Sequence, residues 1–248
     1  MIGLTTACEK GWALAHRVNV PMWDHHTAHP ELGERASRAM AAFTKGFNHD
    51  VSGLVGGYDW TSLASNSHGN PPLLVDLGGA TGHAAIAVAR AHPGMRCVVQ
   101  DLPGVVAKAR DGASADDVVA GGRVTFAAHD FLTPQPTVAS AYLFRQIFHN
   151  WGDAHCVQML RALIPALRPG ARVICNDAIV PPPGVLPPMM ERGIRWIDMV
   201  MMSLFNSRER EKGDWEALFR EADARFGTVK VWKPEGSQLG LVEATWRG

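Results

Sequence analysis

The chain has 248 residues, 46% of them hydrophobic, and it carries 24 basic and 24 acidic side chains. This length and composition suit one large α/β domain, or two small ones, with a substantial core. A formal net charge of zero provides no overall field that would steer the chain toward nucleic acid or anionic lipid. We therefore expect neither of these partners and favour a small, roughly neutral or aromatic molecule.

Cysteine usage and apolar patterning together predict a cytoplasmic chain. The four cysteines are far apart and lack CxxC spacing, which argues against a zinc site or a disulfide framework and indicates a reducing compartment. No apolar run approaches the ~20 residues that a membrane span needs. Residues 1–20 also lack the charged start and long apolar centre of a signal peptide. We expect a soluble chain without membrane contact.

The first seventy residues differ in pattern from the rest of the chain. PMWDHHTAHPELGERASRAMAAFTKGF (21–47) is typical of helices, and NSHGNPP (66–72) is typical of a linker. We therefore predict an N-terminal helical segment over residues 1–70 and a second domain over residues 71–248.

One histidine cluster in this segment raises the question of a metal site. Asp24, His25, His26 and His29 lie close in sequence. Adjacent histidines on a helix point in different directions, however, and no second set of ligands converges on them. We predict that the cluster is exposed and that the chain holds no metal.

From Leu73 onward, short runs rich in Val, Ile and Leu alternate with helical patterns, as in a parallel sheet covered by helices on both faces. PGVVAKAR (103–110) and DAHCVQMLRALIPALRPG (153–170) read as helices. In the second, we expect Asp153 to cap the start, Pro165 to kink the last turn and Gly170 to mark the end. The predicted strands are LLVD (73–76), RCVVQD (96–101), RVTFA (123–127), AYLF (141–144), RVICND (172–177), VKVWK (229–233) and LVEATW (241–246).

A glycine turn follows the first predicted strand. In LLVDLGGATGH (73–83), Gly78, Gly79 and Gly82 lead into a helix, where backbone can approach a ligand closely. The next strand ends in Asp101, 25 residues after Asp76, near the ~20-residue offset at which an acid meets ribose hydroxyls. Without that acid, a purely structural turn would be an equally good interpretation. The spacing is GGxxG and no Lys-Ser/Thr follows, so a nucleoside triphosphate loop is not expected, while NAD stays open.

Six blocks of sequence resemble a known family in the same order. They are VDLGGATGH, VVQDLP, AHDFL, FRQIFHNWGD, VICNDAIVPP and NSRERE. The chain resembles the class I S-adenosylmethionine-dependent O-methyltransferases, most of all the caffeate-type small-molecule enzymes of fungi and plants, over nearly all its length. The resemblance implies a Rossmann-like, mostly parallel sheet of seven strands with helices on both faces and an antiparallel last strand. It also implies S-adenosylmethionine as cofactor, S-adenosylhomocysteine as product, and methylation of a phenol or enol hydroxyl on a small secondary metabolite.

The resemblance assigns a set of residues to the cofactor. Gly78 would lie along its methionine portion, Asp101 would hold the ribose hydroxyls and Asp130 would accept from the adenine amino group. Arg145 stands where the plant enzymes commonly have a lysine, with a similar charge and a different reach. The full implied set is Asp76, Gly78, Gly79, Asp101, Leu102, Asp130, Phe131 and Arg145.

The resemblance also implies the catalytic residues His149, Asp177 and Glu209. His149 in FRQIFHNWGD would be the general base that takes the proton of the acceptor hydroxyl. A phenol with a pKa near ~10 is a poor nucleophile at neutral pH, whereas an imidazole near ~6.5 can accept its proton. Asp177 and Glu209 would orient the ring. Other interpretations stay open: Asp177 as a turn cap, Glu209 as part of a solvated helix start, and Glu211 as the acid in a shifted register.

The acceptor would bind among methionine and aromatic side chains. MMERGIRWIDMVMMSLFNS (189–207) reads as a methionine-rich helix, and such stripes are usually core. In the family this helix lines the acceptor site, and ERASRAMAAF (34–43) resembles a further helix of that site. The resemblance therefore implies an acceptor pocket, shared with residues 1–70, that is lined by Met40, Trp151, Met199, Met202 and Asn206.

The family normally begins with a winged-helix dimerisation domain ahead of the segment that opens this chain. Its lack here leaves several expectations open: a monomer, a homodimer, a partner chain that replaces the domain, or a fragment. The acceptor would be an aromatic or polyketide-like molecule. Two other activities also stay open, namely dehydration or pericyclic rearrangement with bound cofactor, and a non-catalytic subunit that completes a partner's pocket.

Overall fold

All seven predicted strands form, and they join a single sheet. A computed structural model describes residues 11–20, 22–46, 49–66 and 70–248. The predicted linker 66–72 lies partly outside the described residues, and so do residues 1–20, which are predicted not to be a signal peptide. The strands are β1 (Leu73–Leu77), β2 (Arg96–Asp101), β3 (Val124–Ala128), β4 (Ala141–Arg145), β5 (Arg172–Asn176), β6 (Ile179–Val180), β7 (Arg210–Glu211), β8 (Lys230–Trp232) and β9 (Leu241–Thr245).

The sheet has the order β3-β2-β1-β4-β5-β9-β8, and β6 pairs separately with β7. β1 to β5 are parallel, with Val75 opposite Val98 on one side and Tyr142 on the other. β9 runs antiparallel to both of its neighbours, β5 and β8, which confirms the predicted Rossmann-like sheet and its antiparallel last strand. The strand order reverses between β1 and β4. Such a switch point opens a crevice at the carboxyl ends of the strands, where ligands bind in open α/β sheets.

Helices cover both faces of this sheet because alternate strand residues point to opposite sides. Tyr142 and Phe144 of β4 pack in one core with the helices 153–163 and 212–222, while Leu143 packs in the other core with the helices 83–91 and 103–113. No described helix has both the length and the apolar character that crossing a membrane requires. The helices are α1 (Gly11–His16), α2 (Met22–Ala28), α3 (Pro30–Gly46), α4 (Ser52–Gly57), α5 (His83–Ala91), α6 (Pro103–Ala113), α7 (Asp117–Ala120), α8 (Asp153–Leu163), α9 (Pro188–Phe205) and α10 (Lys212–Ala222).

The ends of α8 differ from the prediction. Gly152, in extended conformation, is the residue that precedes the first turn, and Asp153 is already helical, so the predicted Asp153 cap is wrong. The α-helix ends at Leu163 and continues as a 3₁₀ turn over Ile164–Ala166. Pro165 therefore ends the regular helix, as expected of a residue without a backbone N–H. Gly170, with φ +89°, lies in the following turn and does not mark the helix end.

Part of the N-terminal segment belongs to the core of the sheet. Leu54, Tyr58, Trp60 and Leu63 are buried together with residues of β1, β2 and α5. Farther toward the N-terminus, Met22 and Trp12 pack against α9. The boundary at residue 70 stays a prediction.

Candidate active site

A glycine turn lies at the switch point, directly after β1. Gly78 has φ +69° and Gly82 has φ +78°, a region of backbone conformation that favours glycine. A Cβ atom on Gly78 would lie 2.6 Å from Cδ1 of Ile147, and one on Gly79 would lie 2.7 Å from Oδ2 of Asp76. The turn is tied to β2, because the Gly78 amide donates to the carbonyl of Gln100 over 2.8 Å. A side chain at Gly78 or Gly79 would therefore collide with Ile147 or Asp76, so the packing of this turn requires glycine at both positions.

Asp101, at the end of β2, lies beside this turn. The amide of Ala80 donates to its Oδ2 over 3.0 Å, and the amide of Leu102 donates to its Oδ1 over 2.7 Å. Burial raises the pKa of Asp101, and these two backbone hydrogen bonds offset part of that shift. Each carboxylate oxygen keeps a lone pair for a ligand hydroxyl. Leu102 is exposed next to it.

A second acid, Asp76, lies inside the sheet. It is almost fully buried, and burial raises its pKa to about 7, although the charge of Arg145 acts in the opposite direction. Its Oδ2 has no hydrogen-bond partner among the described residues. Asp76 therefore lies under the glycine turn, where its carboxyl is close to Gly79.

The loop after β3 forms the next wall of the crevice. Asp130 is exposed and accepts a hydrogen bond from the amide of Leu132 over 2.9 Å. Phe131 is half-buried, with its ring edge-on to Trp151 at 5.8 Å and to Phe144 at 6.5 Å. Phe131 thus joins the predicted cofactor side of the crevice to the turn that carries the predicted base.

That turn brings His149 and Glu209 together. His149 is the middle residue of a 3₁₀ turn, Phe148–Asn150, that follows β4. Its Nδ1 lies 3.0 Å from Oε1 of Glu209, which is buried. The Glu209 amide in turn donates to Oδ1 of Asp198 on α9 over 2.8 Å. Because a carboxylate only accepts, Nδ1 carries the proton, which leaves Nε2 as the basic atom of a neutral ring.

Several charges act on the pKa of His149. Burial lowers it, but the hydrogen bond to Glu209 and the negative charges of Asp177 and Glu209 raise it, and the net shift is upward. Asp177 itself is fully buried, and burial raises its pKa to about 6, against the opposing charge of His149. Neither Asp177 oxygen has a hydrogen-bond partner of ordinary geometry among the described residues. Asp177 therefore acts on the base through charge, and Glu209 through a direct contact.

The alternative register, with Glu211 beside the base, is wrong. Glu211 is the residue that precedes α10, where its side chain and that of Asp214 form reciprocal hydrogen bonds with backbone amides. Its carboxylate is half-exposed and lies 3.9 Å from Arg195. Glu209 is thus the acid of this segment that reaches His149.

Arg145 lies deeper than a residue that reaches outward to a ligand. It is buried and donates hydrogen bonds to Oδ1 of Asn176 and to the carbonyl of His49. Burial lowers its pKa, while the charges of Asp76 and Asp177 raise it. Arg145 therefore connects the N-terminal segment to the sheet between the two buried acids, and its contact with a cofactor stays a prediction.

Two further residues at this site, His49 and Gln146, were not predicted from the sequence. Gln146 has φ +53°, an unusual conformation for a residue with a side chain, and its Nε2 lies 3.0 Å from Nδ1 of His49. The pKa of His49 is lowered by burial and by the positive charges of Arg145 and His149. This shift favours the neutral form of His49, and His49 is close enough to His149 to respond to its charge. Only the position of Gln146 directly after a strand could have drawn attention to it.

The predicted acceptor residues lie at different depths. Met199 and Met202 of α9 are 63% and 58% exposed, whereas Met201 of the same helix is buried against Met22. Met40 of α3 is also exposed. The methionine stripe is therefore divided between the core and an open face.

The other two predicted acceptor residues lie next to the 3₁₀ turn Phe148–Asn150, which carries the predicted base and is called the base turn below. Trp151 is half-buried and directly follows the 3₁₀ turn, with its carbonyl accepting from Oγ of Ser207 over 2.7 Å. Asn206 ends α9 in left-handed conformation, and its carbonyl lies 3.7 Å from where a Cβ on Gly152 would be. The structure brings these two residues close to the turn that carries His149, whereas the place of Met40 in the acceptor pocket stays a prediction.

The histidine cluster near the N-terminus has the form of a ring stack. The rings of His25 and His29 are stacked at 4.2 Å, and the ring of Trp12 lies edge-on to His25 at 5.3 Å. His29 is exposed, whereas His25 and His26 are half-buried, so the prediction of an exposed cluster holds only in part. Within the described ranges no group of three or more His, Cys, Asp or Glu side chains is arranged to hold a metal ion.

Comparison with known proteins identifies the family. The sequence profile of the O-methyltransferase domain matches residues 14–225. The chain therefore belongs to the O-methyltransferase domain family. Among curated relatives, the grayanic acid biosynthesis cluster O-methyltransferase of Cladonia grayi is 43% identical over 238 residues, which are 96% of this chain and 51% of that protein. O-methyltransferase pyvH of Aspergillus violaceofuscus (strain CBS 115571) is 43% identical over 242 residues, 97% of this chain and 56% of that protein.

Solved structures share the fold of this chain. The structure of OxaC in complex with sinefungin and meleagrin has a TM-score of 0.79 and 26% identity, and the match covers 100% of this chain and 59% of that one. A structure described as a pericyclic reaction enzyme has a TM-score of 0.73 and 21% identity, over 98% of this chain and 60% of that one, a likeness that shows the fold alone. The chain spans about half the length of the curated relatives described above.

Proposed function

We propose that this chain methylates a hydroxyl group of a small phenolic or enolic secondary metabolite, with S-adenosylmethionine as methyl donor. The observation that carries the proposal is the His149–Glu209 pair, 3.0 Å apart, in the crevice that also contains the glycine turn and Asp101. Membership of the O-methyltransferase domain family supports it, as do relatives whose names describe O-methyltransferases.

The residues around the glycine turn suit the cofactor. The Asp101 carboxylate is fixed by two amides and can accept from both hydroxyls of a ribose. Gly78 and Gly79 carry no side chain, which suits close approach of their backbone to the methionine portion. The Asp130 carboxylate is exposed for an adenine amino group, and Phe131 and Leu102 offer apolar surface to the ring. When bound, the cofactor supplies an activated methyl group on a positively charged sulfur.

The chain itself supplies the base and holds the acceptor. Nε2 of His149 removes the hydroxyl proton as the oxygen attacks, which raises the nucleophilicity of a group that is neutral at pH 7. Glu209 fixes the tautomer through Nδ1 and stabilises the imidazolium that forms. Asp177 adds negative charge near the His149 ring without a hydrogen bond to it. Much of the acceleration then comes from holding the two reactants in line.

We place the acceptor between the base turn and the open face of α9. Trp151, Met199 and Met202 give a flat aromatic ring apolar contact, and flexible thioethers adapt to its shape. Asn206 and the His49–Gln146 pair offer polar anchors, in keeping with ligand sites that are apolar with a few polar groups. Met40 would cover this pocket from α3.

The exposed methionine face also bears on assembly. We propose that a second copy of the chain, or another chain or domain, adjoins this face, because large apolar patches are rarely left in water. We further propose a cytoplasmic location, since the three cysteines of the described residues are free thiols.

Mass spectrometry tests the reaction directly. The chain is incubated with S-adenosylmethionine and three phenolic probes, namely caffeate, orsellinate and 1,3-dihydroxynaphthalene. We expect at least one product heavier than its substrate by one CH₂, formed together with S-adenosylhomocysteine. A product of equal mass, or one lighter by a water, would assign the site to rearrangement or dehydration instead. No conversion with any probe, together with no cofactor binding, would contradict the proposal.

Asp101→Ala is expected to weaken S-adenosylmethionine binding about 100-fold. Two hydrogen bonds to a charged acceptor are lost, at a total cost of about 3 kcal/mol. Calorimetric titration measures the dissociation constant. Asp117→Asn is the control, because Asp117 is an exposed acid of α7 that pairs with Arg90. An Asp101→Ala protein with wild-type affinity would remove Asp101 from the cofactor site.

A further inference from the structure

Arg210 is a buried arginine whose guanidinium lies under the turn that carries the base. Its side chain is 1% exposed, although the neighbouring Arg208 is half-exposed. Its positive charge is balanced by Asp153, whose Oδ1 accepts from Nε over 3.1 Å and from an Nη atom over 2.8 Å. The guanidinium carbon also lies 5.7 Å from the ring centre of Trp215. A charge this deeply buried is costly unless it is paired and fully hydrogen-bonded.

Of the three remaining hydrogen bonds of Arg210, one goes to Sγ of Cys156 over 3.3 Å, and two go to the backbone on either side of His149. One Nη atom donates to the carbonyl of Phe148 over 2.7 Å, and the other donates to the carbonyl of Trp151 over 2.8 Å. These carbonyls belong to the residue before His149 and to the residue that closes its 3₁₀ turn. The guanidinium therefore spans the turn from end to end.

Glu209 and Arg210 are consecutive in the chain and act on different parts of one residue. The Glu209 carboxylate contacts the His149 ring, and the Arg210 guanidinium holds the backbone carbonyls of Phe148 and Trp151 that flank His149. We propose that Arg210 is a positioning residue that fixes the base turn so that the His149 ring stays in line with both Glu209 and the acceptor hydroxyl. This inference rests on the proposed function, in which His149 is the base.

A guanidinium suits this role and an ammonium does not. Arginine presents several donors in a rigid plane, so one side chain can bind two carbonyls and a carboxylate at fixed angles. Lysine at the same place would keep the charge but could not hold both ends of the turn with the same geometry. The two properties of Arg210, its charge and its shape, can therefore be tested separately.

The charge of Arg210 has its own effect on the base. The charged and titratable groups that face His149 are Glu209 and Asp177, which raise its pKa, Arg210, which lowers it, and the neighbouring His49. Removing the positive charge should therefore raise the pKa of His149, so that the ring becomes protonated at a higher pH. A purely structural residue elsewhere in the fold would not move this titration.

The experiment compares Arg210→Met with Arg210→Lys in the full chain. Both variants are expected to bind S-adenosylmethionine like the wild type and to lose about 10- to 100-fold in kcat on the probe that the wild type methylates, because misplaced reacting groups cost rate. Arg210→Met should also raise the pKa of His149 in an NMR titration of isotopically labelled histidine, whereas Arg210→Lys should leave that pKa near its wild-type value. His149→Asn identifies the signal among the 11 histidines.

Arg208→Ala is the matched control. Arg208 lies two residues away and binds the same carboxylate, through Oδ2 of Asp153 over 2.8 Å. Among the described residues, it makes no hydrogen bond to the base turn. We expect wild-type kcat and an unchanged His149 titration for this variant. Wild-type kcat in Arg210→Met, with cofactor binding retained, would overturn the proposal.

Two further experiments test the proposal if the Arg210 variants lose cofactor binding or if the wild type has no measurable turnover. If neither Arg210 variant binds the cofactor, Asp153→Asn provides the test, since Asp153 is half-exposed and anchors the guanidinium. The proposal requires that Asp153→Asn have a lower kcat with cofactor affinity retained. Wild-type kcat in Asp153→Asn overturns it. If the wild type methylates none of the probes, the proposed function fails only where cofactor binding is also absent, and in either case the His149 spectrum tests the role of Arg210. Loss of the low-field Nδ1 proton signal in Arg210→Met then supports positioning, and an unchanged signal overturns it.

Discussion

His149→Ala is expected to abolish most turnover while the chain still binds S-adenosylmethionine with nearly wild-type affinity. A positioned general base contributes about 10²- to 10⁴-fold to rate, and the alanine variant loses that whole contribution. Cofactor affinity should survive because His149 lies after β4, whereas the turn and the acid proposed for the cofactor follow β1 and β2. The kcat from product formation and the dissociation constant from calorimetry together test this separation.

His92→Asn provides the control for His149→Ala. His92 directly follows α5, which starts at the glycine turn and runs back along the sheet. This histidine therefore lies at the amino ends of the parallel strands, away from the crevice at their carboxyl ends. We expect its kcat to match the wild type. If His149→Ala kept wild-type kcat at neutral pH, the residue would not be the base, and His49 would be the next residue to test.

The difference in predictability between the sheet and the site has a physical cause. Parallel strands buried on both faces favour runs of Val, Ile and Leu, so the five parallel strands could be read locally. Helix ends were harder to predict from the sequence. Asp153 has the residue type of a helix cap, but its carboxylate is taken by Arg208 and Arg210, more than fifty residues away along the chain.

The acids around the base illustrate the same limit. In the run Arg208 to Glu211, local pattern favours a solvated helix start, yet Glu209 and Arg210 are buried while Arg208 is exposed and Glu211 half-buried. Burial here follows from the pairing of β7 with β6 and from Asp198 of α9, which holds the Glu209 amide. Only resemblance to a family, not local pattern, could single out Glu209 from the sequence.

Residues whose role depends entirely on distant contacts were not predicted. His49 and Gln146 are 97 residues apart, and Arg210 and Phe148 are 62 apart. No periodicity or motif records such a contact, because it arises only when the carboxyl ends of β4 and β5 meet the segments before α4 and α10. The site is therefore chemically more crowded than the sequence indicates, with four titratable or charged groups around one imidazole.

Glu209→Gln is expected to lower kcat about 10- to 100-fold, a usual cost for losing the partner that orients a functional histidine. Glutamine can still occupy the space but carries no charge, so the imidazolium formed during the reaction loses its stabilising partner. The pKa of His149 should fall, because the hydrogen bond and charge of Glu209 raise it together with the charge of Asp177 against the effect of burial.

The pH profile gives the sign of this effect. Activity requires neutral His149, so it is lost as the pH falls through the pKa of that ring. In Glu209→Gln the acid limb should move to lower pH while the plateau drops, which is the opposite displacement to that expected for Arg210→Met. Glu209→Asp is the control, since it keeps the charge and should leave the limb nearer to the wild-type position. A Glu209→Gln limb that stays in place or moves upward would mean that Glu209 does not set the basicity of His149, whatever the plateau does.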